Sequence, residues 1–283
     1  MPSVTSLSQQ LFRNVGPLTT TFTAPASCAT QSAVALAPVD QPAIAAWLDG
    51  CGIRSVGDCL PNGQTVDNVY ASDLATYSAN DFLYYSPGVI CPASWTTVGV
   101  AVKDDKGSVS VTGIYEPAAQ VTATPGATSL VTPAQNPPPN IFVEGLDLGE
   151  TAIACCPESF APDGFGACFS NVPVTRYTAT TGCQRSPFSD IYTFAPATFI
   201  WNGTTVTATV FTVTSADGNG FSSSTTTFQS KDLTAYTGLW QYPMVTLVHK
   251  SNDPTPTAAG TSATTKSSAA TRSNYFIGIG PFF

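Results

Sequence analysis

Residues 150–160 read ETAIACCPESF, and the adjacent cysteines Cys155 and Cys156 are the most informative feature of the chain. The apolar residues before them predict a β-strand. Successive side chains of an extended strand point to opposite faces of the sheet. We therefore expect Cys155 and Cys156 to bond two different partners and to mark the junction of two β-units. Cys91 is a candidate partner for one of them.

The cysteine content predicts an oxidising compartment. The chain has eight cysteines and one histidine, and no cysteine belongs to a C-x-x-C pair. This pattern favours disulfides over a zinc site, so we expect no metal and no cofactor. Eight cysteines allow about 105 pairings, so their number leaves the connectivity open. The cysteines are Cys28, Cys51, Cys59, Cys91, Cys155, Cys156, Cys168 and Cys183.

The charge content argues against nucleic acid as a partner. Only 10% of the 283 residues are charged and the net charge is -8, whereas about a quarter of the residues of an ordinary soluble domain are charged. The lysines Lys103 and Lys106 flank two aspartates, so they form no basic face. Binding to a phosphate backbone or to an anionic membrane surface needs such a face. Cell-wall polysaccharide or a surface protein is the expected partner.

Two hairpins predict a mainly β fold of disulfide-stapled antiparallel units. Residues 95–102 and 108–115 alternate between apolar and polar side chains around a charged turn. A second hairpin is centred on the Asn-Gly dipeptide at 202–203, because Asn-Gly is a strong signal for a two-residue turn. The alternation slips after Val210, which predicts a β-bulge.

The chain divides into four segments, with one short helix in the first. Residues 40–50 give the helix signal, since Asp40 can cap it and Gly50 can end it. The Ser/Thr/Ala-rich end is typical of a disordered, O-glycosylated stalk. The predicted segments are a Cys-rich β-unit at 12–115, a Pro-rich linker at 116–140 that is neither strand nor helix, a Cys-rich β-unit at 141–250, and the stalk at 251–283.

Candidate catalytic residues are few, and we expect none of them to be catalytic. His249 is the one imidazole, and we expect it on the surface at a strand end. Glu144, Asp147 and Glu150 form the densest carboxylate group, which could serve paired acid/base chemistry or bind a cation. A solvated acidic loop is the preferred interpretation.

Several side chains are candidates for contact with carbohydrate. Tyr84, Tyr85, Trp95 and Trp201 lie beside predicted turns and could stack on sugar rings, and the alternative is ordinary packing over disulfides. Asn202 begins the sequon Asn-Gly-Thr at the predicted hairpin tip, which makes it a candidate site for N-glycosylation in a secreted protein.

Three blocks of the chain resemble a family of secreted or membrane-anchored ascomycete proteins. These blocks are GPLTTTFTAPASC at 16–28, YSPGVICPASWT at 85–96 and ETAIACCPESF at 150–160. The resemblance implies a signal peptide, a Cys-rich ectodomain, a Ser/Thr-rich stalk and one transmembrane helix, and it brings no catalytic residues. This chain has no apolar leader, and its residues 276–280 would be the start of a truncated membrane helix. We therefore expect incomplete chain ends, and membrane attachment only in that case; the alternative is a cytosolic protein with reduced thiols.

The expected function is that of a non-enzymatic extracellular or cell-surface ectodomain in adhesion, sensing or cell-wall structure. One alternative is a secreted protein that binds carbohydrate or interacts with a host. The other alternative is an extracellular hydrolase that uses paired carboxylates.

Overall fold

The structure is a computed structural model. It describes residues 2–8, 10–30, 34–52, 54–76, 81–117, 120–121, 128–129, 136–187, 192–213, 221–229 and 231–253. In this part of the chain the α-helices are α1 (Gly63–Thr76) and α2 (Pro138–Gly145), and there are four short 3-10 helices. The strands are β1 (Ser6–Leu7), β2 (Gln10–Asn14), β3 (Ala35–Pro38), β4 (Asp81–Tyr84), β5 (Trp95–Lys103), β6 (Val109–Gly113), β7 (Gln120–Val121), β8 (Thr128–Ser129), β9 (Glu150–Pro157), β10 (Ala161–Pro162), β11 (Ala167–Val172), β12 (Thr181–Pro187), β13 (Tyr192–Trp201), β14 (Thr204–Val213), β15 (Phe221–Thr227), β16 (Tyr236–Pro243) and β17 (Val245–Lys250). The mainly β, antiparallel, disulfide-linked fold predicted from the sequence is confirmed.

The sheet that contains the adjacent cysteines has the strand order β17-β9-β5-β6 and is antiparallel throughout. The predicted hairpin of β5 and β6 is confirmed. Its charged turn is held by Asp104, whose Oδ1 accepts the backbone N–H groups of Lys106 and Ser108 at 2.9 and 2.7 Å. Strand β9 is paired on both sides, with β17 and with β5. A bulge between Thr97 and Gly99 shifts the register of β5 against β9.

A short segment after β4 joins this sheet to a second one. Tyr85 donates its backbone N–H to the Thr246 carbonyl at 2.8 Å and accepts the Val248 N–H at 2.9 Å. Gly88 donates to the Val248 carbonyl at 3.1 Å. The outer side of β17 is thereby connected to the sheet β1-β2-β4, in which β2 and β4 are parallel.

Helix α2 packs against these strands through Phe142. Its ring lies 5.5 Å from that of Phe12 and 5.6 Å from that of Phe82, measured between centroids. At the end of the helix, Gly145 lies so close to Phe12 that an added Cβ would be 2.5 Å from the Cζ atom of that ring. Glycine is required here because the helix and the ring could not otherwise approach.

A further sheet has the strand order β10-β11-β16-β3. Strand β3 is buried on both faces, because Ala35 and Ala37 belong to one apolar cluster and Leu36 to another. Leu239 of β16 is 1% exposed in the first cluster, and Tyr177 is 5% exposed in the second. The alternation of β3 between two clusters follows from the two-residue period of a strand.

The hairpin of β13 and β14 is also confirmed. Its turn residues Asn202 and Gly203 both have a positive φ, at 48° and 74°, as the tight hairpin turn requires. The bulge predicted after Val210 is wrong, because pairing runs without a break from Tyr192 opposite Val213 to Trp201 opposite Thr204. Strands β12 and β15 form another two-stranded sheet.

The helix predicted at residues 40–50 is wrong. Leu36 pairs with Trp47, and Leu48 pairs with Cys183 through two backbone hydrogen bonds of 2.8 Å each. These long-range bridges hold the segment in an extended form that local helix signals do not anticipate. The helix of this region is α1, which begins at Gly63.

The segments on either side of residues 116–140 share two sheets. Strand β5 pairs with β9, and β3 pairs with β16. The prediction that 116–140 contains neither strand nor helix is wrong, because β7 and β8 pair within it and α2 begins at Pro138, where proline is tolerated in the first turn. Residues 254–283 of the predicted stalk, including the suggested start of a membrane helix, lie outside the described residues.

Candidate functional site

The eight cysteines form four disulfides, as the sequence predicted. The bonded pairs are Cys28–Cys59, Cys51–Cys183, Cys91–Cys155 and Cys156–Cys168. The adjacent cysteines of β9 therefore bond different partners, and Cys91 is one of these partners. Both predictions are confirmed. The first follows from the extended strand, which directs neighbouring side chains to opposite faces.

Two disulfides link β9 to other parts of the fold, one through Cys155 and one through Cys156. Cys155 belongs to an apolar cluster that also includes Leu247 of β17 and Tyr85. It bonds Cys91, which packs against the same cluster. Cys156 bonds Cys168 of β11, with 5.6 Å between the two Cα atoms. Strand β11 lies in the sheet with β16 and β3. Cys156 thus connects the sheet of β9 to the sheet of β11, whereas Cys155 connects β9 to the segment that precedes β5.

The predicted acidic group is only in part a solvated loop. Glu150 is fully buried, and its Oε2 accepts the backbone N–H of Asp147 at 2.9 Å. Burial disfavours the charged form of Asp147, but hydrogen bonds from Ser3 and nearby positive charge hold the pKa of its carboxyl below the ordinary value. The expectation of a solvated loop is wrong for Glu150, which is buried at the start of β9, and for Glu144, which lies on α2, whereas Asp147 lies in the loop between them and is partly exposed.

Glu144 of the same group holds the β13–β14 hairpin on helix α2. Its Oε1 accepts the backbone N–H of Ile200 at 2.8 Å, and its Oε2 accepts the side-chain amide of Asn136 at 3.0 Å. Asn140 completes the contact by donating to the Ile200 carbonyl at 2.8 Å. Ile200 of β13 therefore has both of its backbone polar groups bound by side chains of α2.

Three of the four aromatic residues proposed for sugar stacking are buried. Tyr84 and Tyr85 are each 3% exposed, and Trp201 is 9% exposed. The hydroxyl of Tyr85 donates to the Pro61 carbonyl at 2.6 Å, and burial raises the pKa of this tyrosine. Trp95 is half-buried against the cluster that contains Cys155. Tyr84 and Tyr85 therefore fit the alternative interpretation, in which the rings pack in the interior.

A different group of aromatic rings is partly exposed, and no local pattern indicated it. Phe228 contacts Trp47 edge to face at 5.6 Å and Tyr236 at 5.9 Å between centroids. The guanidinium of Arg176 lies 5.6 Å from the ring centre of Trp240. We call Trp47, Phe228, Tyr236 and Trp240 the aromatic cluster. Its members are half-buried and lie up to 193 positions apart in sequence, from Trp47 to Trp240, so local periodicity cannot find them.

His249 lies on β17 opposite Thr151 and is half-buried rather than on the surface. Its Nδ1 atom is buried and has no hydrogen-bond partner in the described part of the chain. The described residues contain no group of three or more His, Cys, Asp or Glu side chains arranged to hold a metal ion. Neither α1 nor α2 is long and apolar enough to cross a bilayer.

Asn202 is exposed at the tip of its hairpin, as are Gly203 and Thr204. The sequon therefore lies in the accessible position predicted for it. Comparisons of the chain with models of protein families, with curated proteins and with solved structures find no match.

Proposed function

We propose that this chain is a non-enzymatic ectodomain that works outside the cell or at its surface, in adhesion, sensing or cell-wall structure. The observation that carries the proposal is the pairing of all eight cysteines in four disulfides. Bonds of this kind form and persist in oxidising compartments such as the secretory pathway and the extracellular space. Cell-surface attachment and a role in the wall go beyond the disulfides and are part of the proposal.

The roles of the carboxylates are consistent with a binding or structural protein. Glu144 binds the backbone of Ile200, and Glu150 is buried and binds the backbone of Asp147. Each of these contacts supports the fold, so the hydrolase alternative gains no support from this group.

The proposal is tested by labelling intact cells of the source organism with an amine-reactive biotin reagent that cannot cross membranes. Lys106 and Lys231 are exposed and would react. We expect labelled protein from intact cells, and we expect its eight cysteines to react with an alkylating reagent only after reduction. Label that appears only after lysis, together with free thiols in the unreduced protein, would overturn the proposal.

A secreted carbohydrate-binding or host-interacting protein is the second candidate, and the aromatic cluster favours it. Half-buried aromatic rings beside the exposed guanidinium of Arg176 offer apolar surface for stacking and a hydrogen-bond donor, a combination that suits sugars. The proposed contact is therefore Trp47 and Trp240 rather than Tyr84 and Tyr85, which are buried.

Co-sedimentation with insoluble chitin and β-glucan tests this second candidate. We expect Trp240→Ala to abolish binding, and Phe165→Ala to retain it. Phe165 is the matched control because it is 51% exposed and lies outside the aromatic cluster. Equal binding by the two variants would exclude the cluster as the contact surface.

A further inference from the structure

The tip of the β13–β14 hairpin has the form of a glycosylation site. Asn202 occupies the first turn position with φ 48°, and Gly203 the second with φ 74°. Asn202, Gly203, Thr204 and Thr205 are all exposed. A Cβ added at Gly203 would meet no atom within 4 Å, so the space around the tip is open. A bulky group on Asn202 would therefore displace no part of the described fold.

The two edges of this hairpin differ. In a two-residue hairpin, alternate residues of each strand direct their backbone N–H and C=O groups away from the partner strand. On β13, Ile200 is such a residue, and Glu144 and Asn140 bind both of its groups. Pro196 lies on the same edge and has no N–H to offer. The outer edge of β13 is thus closed at these positions.

Within the described part of the chain, the outer edge of β14 is open by the same criterion. Thr205 and Thr207 lie opposite Ile200 and Thr198, so their backbone groups also point away from the hairpin. Among the described strands, β14 pairs with β13 alone. An unpaired strand edge is a template for pairing with another chain, and proteins usually block it. The sequon lies directly beside the start of this open edge.

We propose that Asn202 carries an N-linked glycan that shields the open edge of β14 from pairing with another molecule. The inference rests on the proposed extracellular function, because it requires passage through the secretory pathway. The co-reactant is a lipid-linked oligosaccharide. Its C1–O bond to the lipid pyrophosphate breaks, a bond from C1 to Asn202 Nδ2 forms, and Nδ2 releases one proton. Thr204, which bears a hydroxyl, is the third residue of the sequon.

The modification is tested by secreting the chain from a eukaryotic host behind a cleavable signal peptide and measuring its intact mass. We expect a glycan mass that a peptide amidase removes from the wild type and from Thr204→Ser. We expect none on Asn202→Asp, which keeps the turn because Asp-Gly also suits it. Secreted, fully oxidised wild type without a glycan would overturn this inference and leave the extracellular proposal standing. Retention in the cell with free thiols would overturn both.

The shielding role is tested on the same proteins by light scattering after size-exclusion chromatography. We expect the wild type to be monomeric and Asn202→Asp to show a several-fold larger fraction of dimers and higher species. Adding Thr207→Lys to Asn202→Asp places a charge on the open edge and should restore the monomer. A monomeric Asn202→Asp at the same concentration, or association that Thr207→Lys leaves unchanged, would overturn the shielding role.

Discussion

Glu144 of helix α2 accepts the backbone N–H of Ile200, with 2.8 Å between the nitrogen and Oε1. The contact links residues 56 positions apart and attaches a two-stranded hairpin to the body of the molecule. Because a strand pair is marginally stable alone, we infer that this hairpin depends on α2 for its position.

We predict that Glu144→Ala releases the hairpin locally and lowers the free energy of unfolding by about 1 kcal/mol, the usual net worth of a hydrogen bond. Hydrogen exchange should accelerate at the Ile200 amide, and urea unfolding should report the loss of stability. The matched control is Glu158→Ala, which removes an exposed carboxylate. Equal exchange at Ile200 in the two variants would contradict the role given to Glu144.

Local signals in the sequence predicted the hairpins and the disulfide pattern of β9. The Asn-Gly turn at residues 202–203 and the alternation of β5 involve only a few neighbouring residues, so they can be recognised from the sequence alone. Neighbouring cysteines on a strand likewise face apart whatever surrounds them. These features required no knowledge of which strands pair.

The features that prediction missed depend on contacts between distant residues. Helix α1 has no strong apolar stripe. It packs through Val66, and its Asp67 accepts the backbone N–H groups of Val56 and Gly57 at 2.7 and 3.0 Å. Leu48 lies in a segment with local helix signals, but its backbone hydrogen bonds to Cys183 hold it in an extended form. The burial of Glu150 likewise follows from the position of β9 between two strands.

The close approach of α2 to Phe12 gives a second prediction. In Gly145→Ala the new Cβ would lie 2.5 Å from Phe12 Cζ and 3.2 Å from Val4 Cγ1. Overpacking of this kind costs about 1–3 kcal/mol, and we expect that loss in chemical denaturation. Gly50→Ala is the control, because a Cβ there meets no atom within 4 Å. If both variants unfold at the same denaturant concentration, α2 can move away from Phe12 without cost.

The four disulfides differ in access, which predicts the order of their reduction. Cys51 is exposed, whereas Cys155, Cys156 and Cys168 are each 0% exposed. Thiol exchange depends on access to sulfur, so mild reductant should open Cys51–Cys183 first and Cys156–Cys168 late. Quenched alkylation and peptide mapping at successive times would record the order.

Opening the Cys51–Cys183 bond should also have a large effect on stability. The bond joins residues 132 positions apart, and the chain-entropy relation gives a loop of that size a stabilisation of about 5 kcal/mol. We expect a marked drop in the unfolding midpoint at this first step. Reduction of Cys156–Cys168 before Cys51–Cys183 would contradict the assignment of the accessible bond.

Buried tyrosines predict a loss of stability at alkaline pH. Burial raises the pKa of Tyr84, Tyr85, Tyr115, Tyr177 and Tyr242 above the ordinary value. In the unfolded chain these groups ionise at about pH 10, whereas in the folded protein they keep their protons to higher pH. The stability linked to them is therefore complete below the unfolded pKa and falls as the pH rises above it. Absorbance of tyrosinate and far-ultraviolet circular dichroism, followed together, should show that these tyrosines ionise only as the fold is lost. Ionisation of all ten tyrosines near their ordinary pKa, with the circular dichroism unchanged, would show that the rings are open to solvent.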